Sequence, residues 1–272
     1  MLLDCVLQAW KILELIKEVY KWDTNDSYEH SLLTLSLLNQ FDDFKVSIKH
    51  MADFGCGKGL DLEYWANMHT WNDDGSPGPK LNFNCVGIDL NVKSNVPSRK
   101  NIQYKAHNFN TDDTIWSVPF DVVWCHNVMQ EIYSPIEFLG KINRAMATGS
   151  MFYLCVPSTV TVYQNRFQNY TPANNYHTFT VSQILYLLAL NGFDVQDFYL
   201  QKEKFTDLIQ VLTYKVRDPL PYETSLYEMA DMGIVNDNIK SIIMDNGIIT
   251  DQGIVTRWLN GDVYDYRWHT SA

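Results

Sequence analysis

The chain has 272 residues, of which 46% are hydrophobic and 19% charged, a balance that builds a packed core and excludes a disordered chain. Lys plus Arg total 21 against 32 Asp plus Glu, a formal charge of -11. Such a field repels phosphate backbones, so general nucleic-acid binding is disfavoured.

The first residues, MLLDCVLQAWKILELIKEVY, place Leu3, Val6, Leu7, Trp10, Leu13 and Ile16 at helical spacing. Asp4, Lys11, Glu14 and Lys17 interrupt the apolar character. The segment therefore reads as an amphipathic core-covering helix, not as a signal peptide or a membrane span. Helical patterns at 2–21 and 27–41 form an expected N-terminal cap.

SIKHMADFGCGKG then reads as a strand, a Gly-rich turn and a helix start, with the helix running through DLEYWANMHTW. NDDGSPGPK at 72–80 reads as a surface loop, because its Pro and Gly sustain neither helix nor strand. NCVGIDLN (84–91), NIQYKAHNF (101–109), FDVVWCHNV (120–128) and SMFYLCVPS (150–158) are strand candidates; the apolar ones suit strands buried on both faces. Between the last two, SPIEFLGKINRAM offers Ser134 as N-cap, Pro135 at the first helical position and Glu137 three residues after the cap. The 159–177 segment lacks a period and is rich in Asn and Tyr (Tyr163, Asn165, Tyr170, Asn174, Asn175, Tyr176). It is read as an acceptor-lining loop or as a polar loop with aromatic anchors. FTVSQILYLLALNGF predicts a helix closed by Gly192, and FDVQDFYLQKEKF with DLIQVLTYKV an antiparallel strand pair. Short helical patterns occupy 218–272.

Alternating strands and helices from 50 to 158 predict an α/β, Rossmann-like, doubly wound and mostly parallel sheet, closed by a terminal antiparallel hairpin. Three parts are expected: a helical cap (1–45), the Rossmann-like domain (46–217), and an extension (218–272) packed on the core or at an oligomer interface. Five Cys are scattered without CxxC pairs, which fits reduced thiols in the cytoplasm and gives no metal-ligand set.

Ligands of such sheets bind at the carboxyl ends of the strands. The first strand ends in Asp53-Phe54-Gly55-Cys56-Gly57-Lys58-Gly59. This is neither G-x-x-x-x-G-K-[ST] nor G-x-G-x-x-G, so neither phosphate-binding turn is indicated. Asp53 would repel a diphosphate; it suits a cationic amino group, or simply fixes the turn. Asp89 ends the second strand, where an acid can accept both hydroxyls of a ribose or else face water. Asn108-Phe109 offers an amide edge beside an aromatic surface, as an adenine needs; Asn110 or Asp112 serve if the register slips. The backbone of Trp124-Cys125-His126-Asn127 should face the reactive end of the ligand.

These motifs make residues 50–215 resemble the class I S-adenosylmethionine-dependent methyltransferases, specifically the type 11 and related small-molecule branch. DFGCGKG looks like that family's first motif, VGIDLN like its second, and FDVVWCHNVMQEIYSPIEFLGKINRAMATGSMFYLCVP like its fourth-strand, helix and fifth-strand block. HTFTVSQILYLLALNGFDV resembles the helix before the terminal hairpin. The resemblance implies a cofactor site of Asp53, Gly55, Cys56, Gly57, Gly59, Asp89, Leu90, Asn108, Phe109, Cys125 and His126. Three departures stand out: Ala147-Thr148-Gly149 replaces a double Gly, Asn108 replaces the third-motif acid, and Glu131 replaces a common His.

Methyl transfer from a sulfonium needs a base only when the acceptor must lose a proton, and His126, Glu131 and His177 are the candidates for it. CHNV stands where amino-directed DNA methyltransferases carry [DNSQ]-P-P-[YFW], and Cys155-Val156-Pro157 has the wrong order for a C5-pyrimidine nucleophile. A small-molecule acceptor is therefore expected ahead of protein or nucleic acid. The alternatives are a non-catalytic cofactor-binding module, with a tail suited to homodimer contact, or a nicotinamide dehydrogenase, which the glycine spacing opposes.

Overall fold

The computed structural model describes residues 48–67, 69–71, 77–92, 101–113, 116–157, 176–177, 179–202, 208–244 and 266–267. The expected N-terminal helices, the loop tip at 72–76 and most of the 159–177 segment lie outside them.

Eight strands form one sheet in the order β10-β8-β9-β7-β6-β1-β4-β5. Its parallel part is β1 (His50–Phe54), β4 (Asn84–Asp89), β5 (Ile102–Ala106), β6 (Phe120–His126) and β7 (Met146–Pro157). β8 (Tyr199–Lys202) and β9 (Leu208–Tyr214) make the antiparallel pair on β7, and β10 (Tyr266–Arg267) adds to the β8 edge. The expected Rossmann-like sheet with its terminal hairpin is thus present. From β1 the chain winds outward through β4 and β5, then returns to the other side of β1 with β6. The ends of β1 and β6 therefore frame the switch-point crevice.

Alternation along the strands divides the core between two faces. Met51, Val122, Trp124 and Tyr153 face α1 (Leu60–Ala66), which contributes Leu62, Trp65 and Ala66. Ala52, Phe54, Val123, Cys125, Phe152 and Leu154 face α2 (Pro135–Arg144) and α3 (Val181–Leu190). α4 (Leu226–Asp231) and α5 (Asp237–Met244) pack beside α3 and send Met229, Ile239 and Ile243 into that second cluster.

Local chemistry sets several boundaries. α3 starts at a reciprocal capping box, Thr180 with Gln183, and Gly192 follows its end at φ 83°. α2 starts after Ser134 with Pro135 in the first turn as expected, but the Ser134 side chain makes no capping bond. Two elements differ from expectation. His69–Trp71, expected as helix, is strand β2, and it pairs with β3 (Pro77–Lys80), expected as loop. A two-stranded edge tolerates proline because the unmade N–H bonds face outward. β7 also starts four residues earlier than expected, at Met146. Its register against β6 jumps between Phe120 and Val122, so the extra residues are absorbed as an irregularity.

At the amino end of the parallel strands a buried polar clamp joins the layers. Lys215 Nζ donates to the carbonyls of Asn143 (3.0 Å) and Met146 (3.1 Å). Asn143 Nδ2 donates in turn to the carbonyls of Asn191 and Arg217, both at 2.8 Å. Side-chain donors there complete carbonyls left by the ends of α2 and α3.

Candidate active site

The Gly-rich turn after β1 is held by backbone geometry. Gly55 N donates to Ile88 O at 2.7 Å, and Gly59 N to Cys56 O at 2.7 Å. Gly55 sits at φ 84°, and a Cβ there would run into the Val128 side chain. Gly57 also has positive φ (51°), but a Cβ on it would meet nothing within 4 Å. Gly55 is thus required by packing, whereas the space over Gly57 is open to a ligand. Cys56 is buried, and burial, followed by the Asp53 and Asp89 charges, pushes its thiol up and keeps it protonated.

Two carboxylates flank this turn in different states. Asp89 is fixed: Oδ2 accepts from Gly57 N (2.9 Å) and Oδ1 from Asn91 N (2.9 Å). Each carboxylate oxygen retains accepting capacity, so Asp89 can still take hydroxyl donors. Leu90, directly after it, is 59% exposed, an apolar side chain held out at the strand end. Asp53 is 2% exposed, and burial, then Asp61, then Asp89, hold its carboxyl well above the usual carboxylate range.

A third acid, Asp61, joins the two. It lies in the first turn of α1, where an acid is ordinary, so nothing in the sequence marks it. Asp61 Oδ2 accepts from Trp124 Nε1 (3.1 Å) and lies 3.9 Å from His126 Nδ1. His126 ends β6 with its ring edge-on to Tyr153. Cys125, one residue earlier, is fully buried in the opposite core, so only its backbone can line the crevice. Asn127 follows at φ 56°, a left-handed conformation that Asn tolerates better than most residues, and its N–H donates to Cys155 O.

After β5, Asn108 Oδ1 accepts from Asn110 N (3.0 Å), while Asp112 Oδ2 accepts from Asn108 N (2.9 Å). Asn110 Oδ1 accepts from Tyr133 N (2.8 Å), linking this loop to the segment after β6. The Phe109 ring is 9% exposed, stacked on Phe54 with centroids 5.1 Å apart and edge-on to Phe138. Its ring therefore belongs to the core, and its backbone is fixed by Lys141 Nζ at 3.1 Å.

The segment after β6 is a short 3-10 turn, Met129–Glu131. Gln130 O accepts from the N–H groups of Tyr176 (2.8 Å) and His177 (3.1 Å), and His177 Nε2 lies 3.2 Å from Tyr133 O. Tyr133 and Tyr176 are exposed and meet edge to face, with centroids 5.0 Å apart. Burial, then the Asp89 charge, raise the Glu131 carboxyl above its usual range; a side-chain hydrogen bond with Tyr133 and the Tyr133 charge, then burial and the Glu131 charge, raise the Tyr176 hydroxyl. The structure thus brings Glu131 and His177, far apart in sequence, to the same short turn, whereas His126 lies near Asp61 at the end of β6.

The sequence model of a family described as methyltransferase domain matches residues 29–197. The chain belongs to that family. It is a methyltransferase, and S-adenosylmethionine is the cofactor that its domain implies. No curated protein matches the chain in sequence. Among solved structures, an S-adenosylmethionine dependent methyltransferase from Listeria monocytogenes aligns at 16% identity, covering 66% of this chain and 100% of its own, with a TM-score of 0.46. The 1,6-didemethyltoxoflavin-N1-methyltransferase of Burkholderia thailandensis aligns at 12% identity over 66% of this chain and 76% of its own, with a TM-score of 0.47. A methyltransferase from Mesorhizobium loti follows at 13% identity, 61% and 90% coverage and a TM-score of 0.43. Among the described residues no helix is long and apolar enough to cross a membrane.

Proposed function

We propose that this methyltransferase acts on a small-molecule acceptor, with S-adenosylmethionine held across the ends of β1 and β4. One observation carries the cofactor assignment: Asp53 lies near the end of β1 at 2% exposure, and burial, then the Asp61 and Asp89 charges, raise its carboxyl, a setting that the cationic α-amino group of a methionine tail would relieve. Asp89 is oriented by Gly57 N and Asn91 N for a ribose diol, beside a glycine whose open face admits a ligand. Leu90 provides an exposed apolar surface for the adenine, and Asn108 its polar edge. With the Phe109 ring in the core, Phe109 would contribute its backbone.

The bound cofactor supplies an activated methyl group, so the protein has little covalent chemistry to perform. The residues at the strand ends hold donor and acceptor in line and keep water out. Backbone at Cys125 and His126 borders the reacting region, while Asp61 orients His126 from the α1 side. Glu131, and more remotely His177, stand on the acceptor flank, where a proton can be taken up. The acidic balance of the chain favours a small acceptor over a polyanion.

Titration calorimetry with S-adenosylmethionine and S-adenosylhomocysteine tests the site. Both should bind, and Asp53→Ala should weaken both. Absence of binding to either ligand removes this reading.

A further inference from the structure

The acceptor flank has a composition of its own. It combines a carboxylate, Glu131, two exposed tyrosine rings set at 71° to one another, and a buried amide residue, Gln130. The Gln130 side chain is 5% exposed, and its Oε1 has no hydrogen-bond partner among the described residues. Tyrosine faces attract cations, and an adjacent carboxylate adds a full charge to that attraction. Gln130 O fixes Tyr176 against the turn that carries Glu131 and Tyr133, so the grouping is built by the fold and not by chance side-chain reach. The charge that acts on Glu131 among the described residues, that of Asp89, is also acidic.

We propose that the acceptor is an amine, bound as its ammonium ion between Glu131 and the Tyr133–Tyr176 pair. This inference rests on the methyltransferase reading given above. The ammonium gives one proton to the Glu131 carboxylate, which frees the nitrogen lone pair. That pair forms the new nitrogen–carbon bond as the bond from the methyl carbon to sulfur breaks, its electrons remaining on sulfur. The products are a methylated ammonium and a neutral thioether, and the proton on Glu131 returns to solvent. Charge is thus conserved, and the acidic flank faces a cation before and after transfer.

Calorimetry of the full chain saturated with S-adenosylhomocysteine tests this with three amines and their alcohol counterparts: phenethylamine with 2-phenylethanol, tyramine with tyrosol, and cadaverine with 1,5-pentanediol. At least one amine should bind tenfold or more tighter than its alcohol. Glu131→Gln should reduce that preference by about tenfold, the scale of one lost charge-assisted bond. Tyr176→Leu, which keeps apolar bulk, should reduce amine binding by about threefold, as expected for one cation–π contact at an exposed site. Alcohols that bind as well as the amines, or an amine preference unchanged in Glu131→Gln, overturn the proposal. Loss of S-adenosylhomocysteine binding itself would instead count against the cofactor site, so the two failures are distinguishable.

Discussion

The two flanks of the crevice are built by opposite means. Around β1 and β4 the backbone does most of the shaping: Gly55, Gly57 and Gly59 turn the chain, and Asp89 is tied to two N–H groups. Beyond β6 the surface is made of side chains, Glu131, Tyr133 and Tyr176, on a short turn and a returning segment. A backbone-built pocket suits a ligand that is the same in every turnover. A side-chain-built one can be altered one substitution at a time, which is where acceptor selectivity is expected.

The sharpest way to break this contrast is Gly57→Val. A β-branched residue at φ 51° would fill the open space over the turn, so S-adenosylhomocysteine binding should become unmeasurable by calorimetry. Circular dichroism should still show a folded protein, since that Cβ meets no neighbour. Normal binding would mean the turn does not face the ligand. Next in size, Asp89→Ala should weaken cofactor binding by about 1.5–3 kcal/mol, the range for hydrogen bonds to a charged group.

Asp53→Asn separates binding from stability. The folded-state pKa of Asp53 is raised, so the native protein holds this proton more tightly than the unfolded chain does. Stability is then greatest at and below the ordinary carboxylate range and declines as pH rises through the raised value. The Asn variant should lose that decline and melt about 2–4 °C higher near neutrality for each kcal/mol recovered. Its cofactor affinity should fall at the same time. A variant that melts lower at neutral pH would show that the carboxylate is compensated. The smallest effect belongs to the other flank: Glu131→Gln should change S-adenosylhomocysteine affinity by less than about threefold, because a partly solvated charge is well screened. A larger loss would place Glu131 in the cofactor site.

The legibility of the sequence follows the same division. Glycines at fixed spacing and acids at strand ends are local signals, so the turn and Asp89 could be read directly. The relation of Glu131 to Asp89, and of Tyr176 to Gln130, arises only when distant segments meet. Asp61 was hidden because an acid in a first helical turn has a routine explanation. Phe109 shows the converse: an aromatic at a strand end suits either a ligand or the core, and stacking on Phe54 chose the core. The β2–β3 hairpin was hidden by Pro77 and Pro79, which an outward-facing edge tolerates.

The Lys215 clamp has a consequence for how this protein can change. β7 runs from the clamp to the crevice, and at about 3.3 Å per residue the two ends lie roughly 25 Å or more apart. Perturbations at that separation add nearly independently, within about 0.5 kcal/mol. Stability measured for Lys215→Met combined with Glu131→Gln should therefore equal the sum of the single changes. A lineage carrying this fold can then sample new acceptors at one end of the sheet without reopening the question of whether the other end holds together.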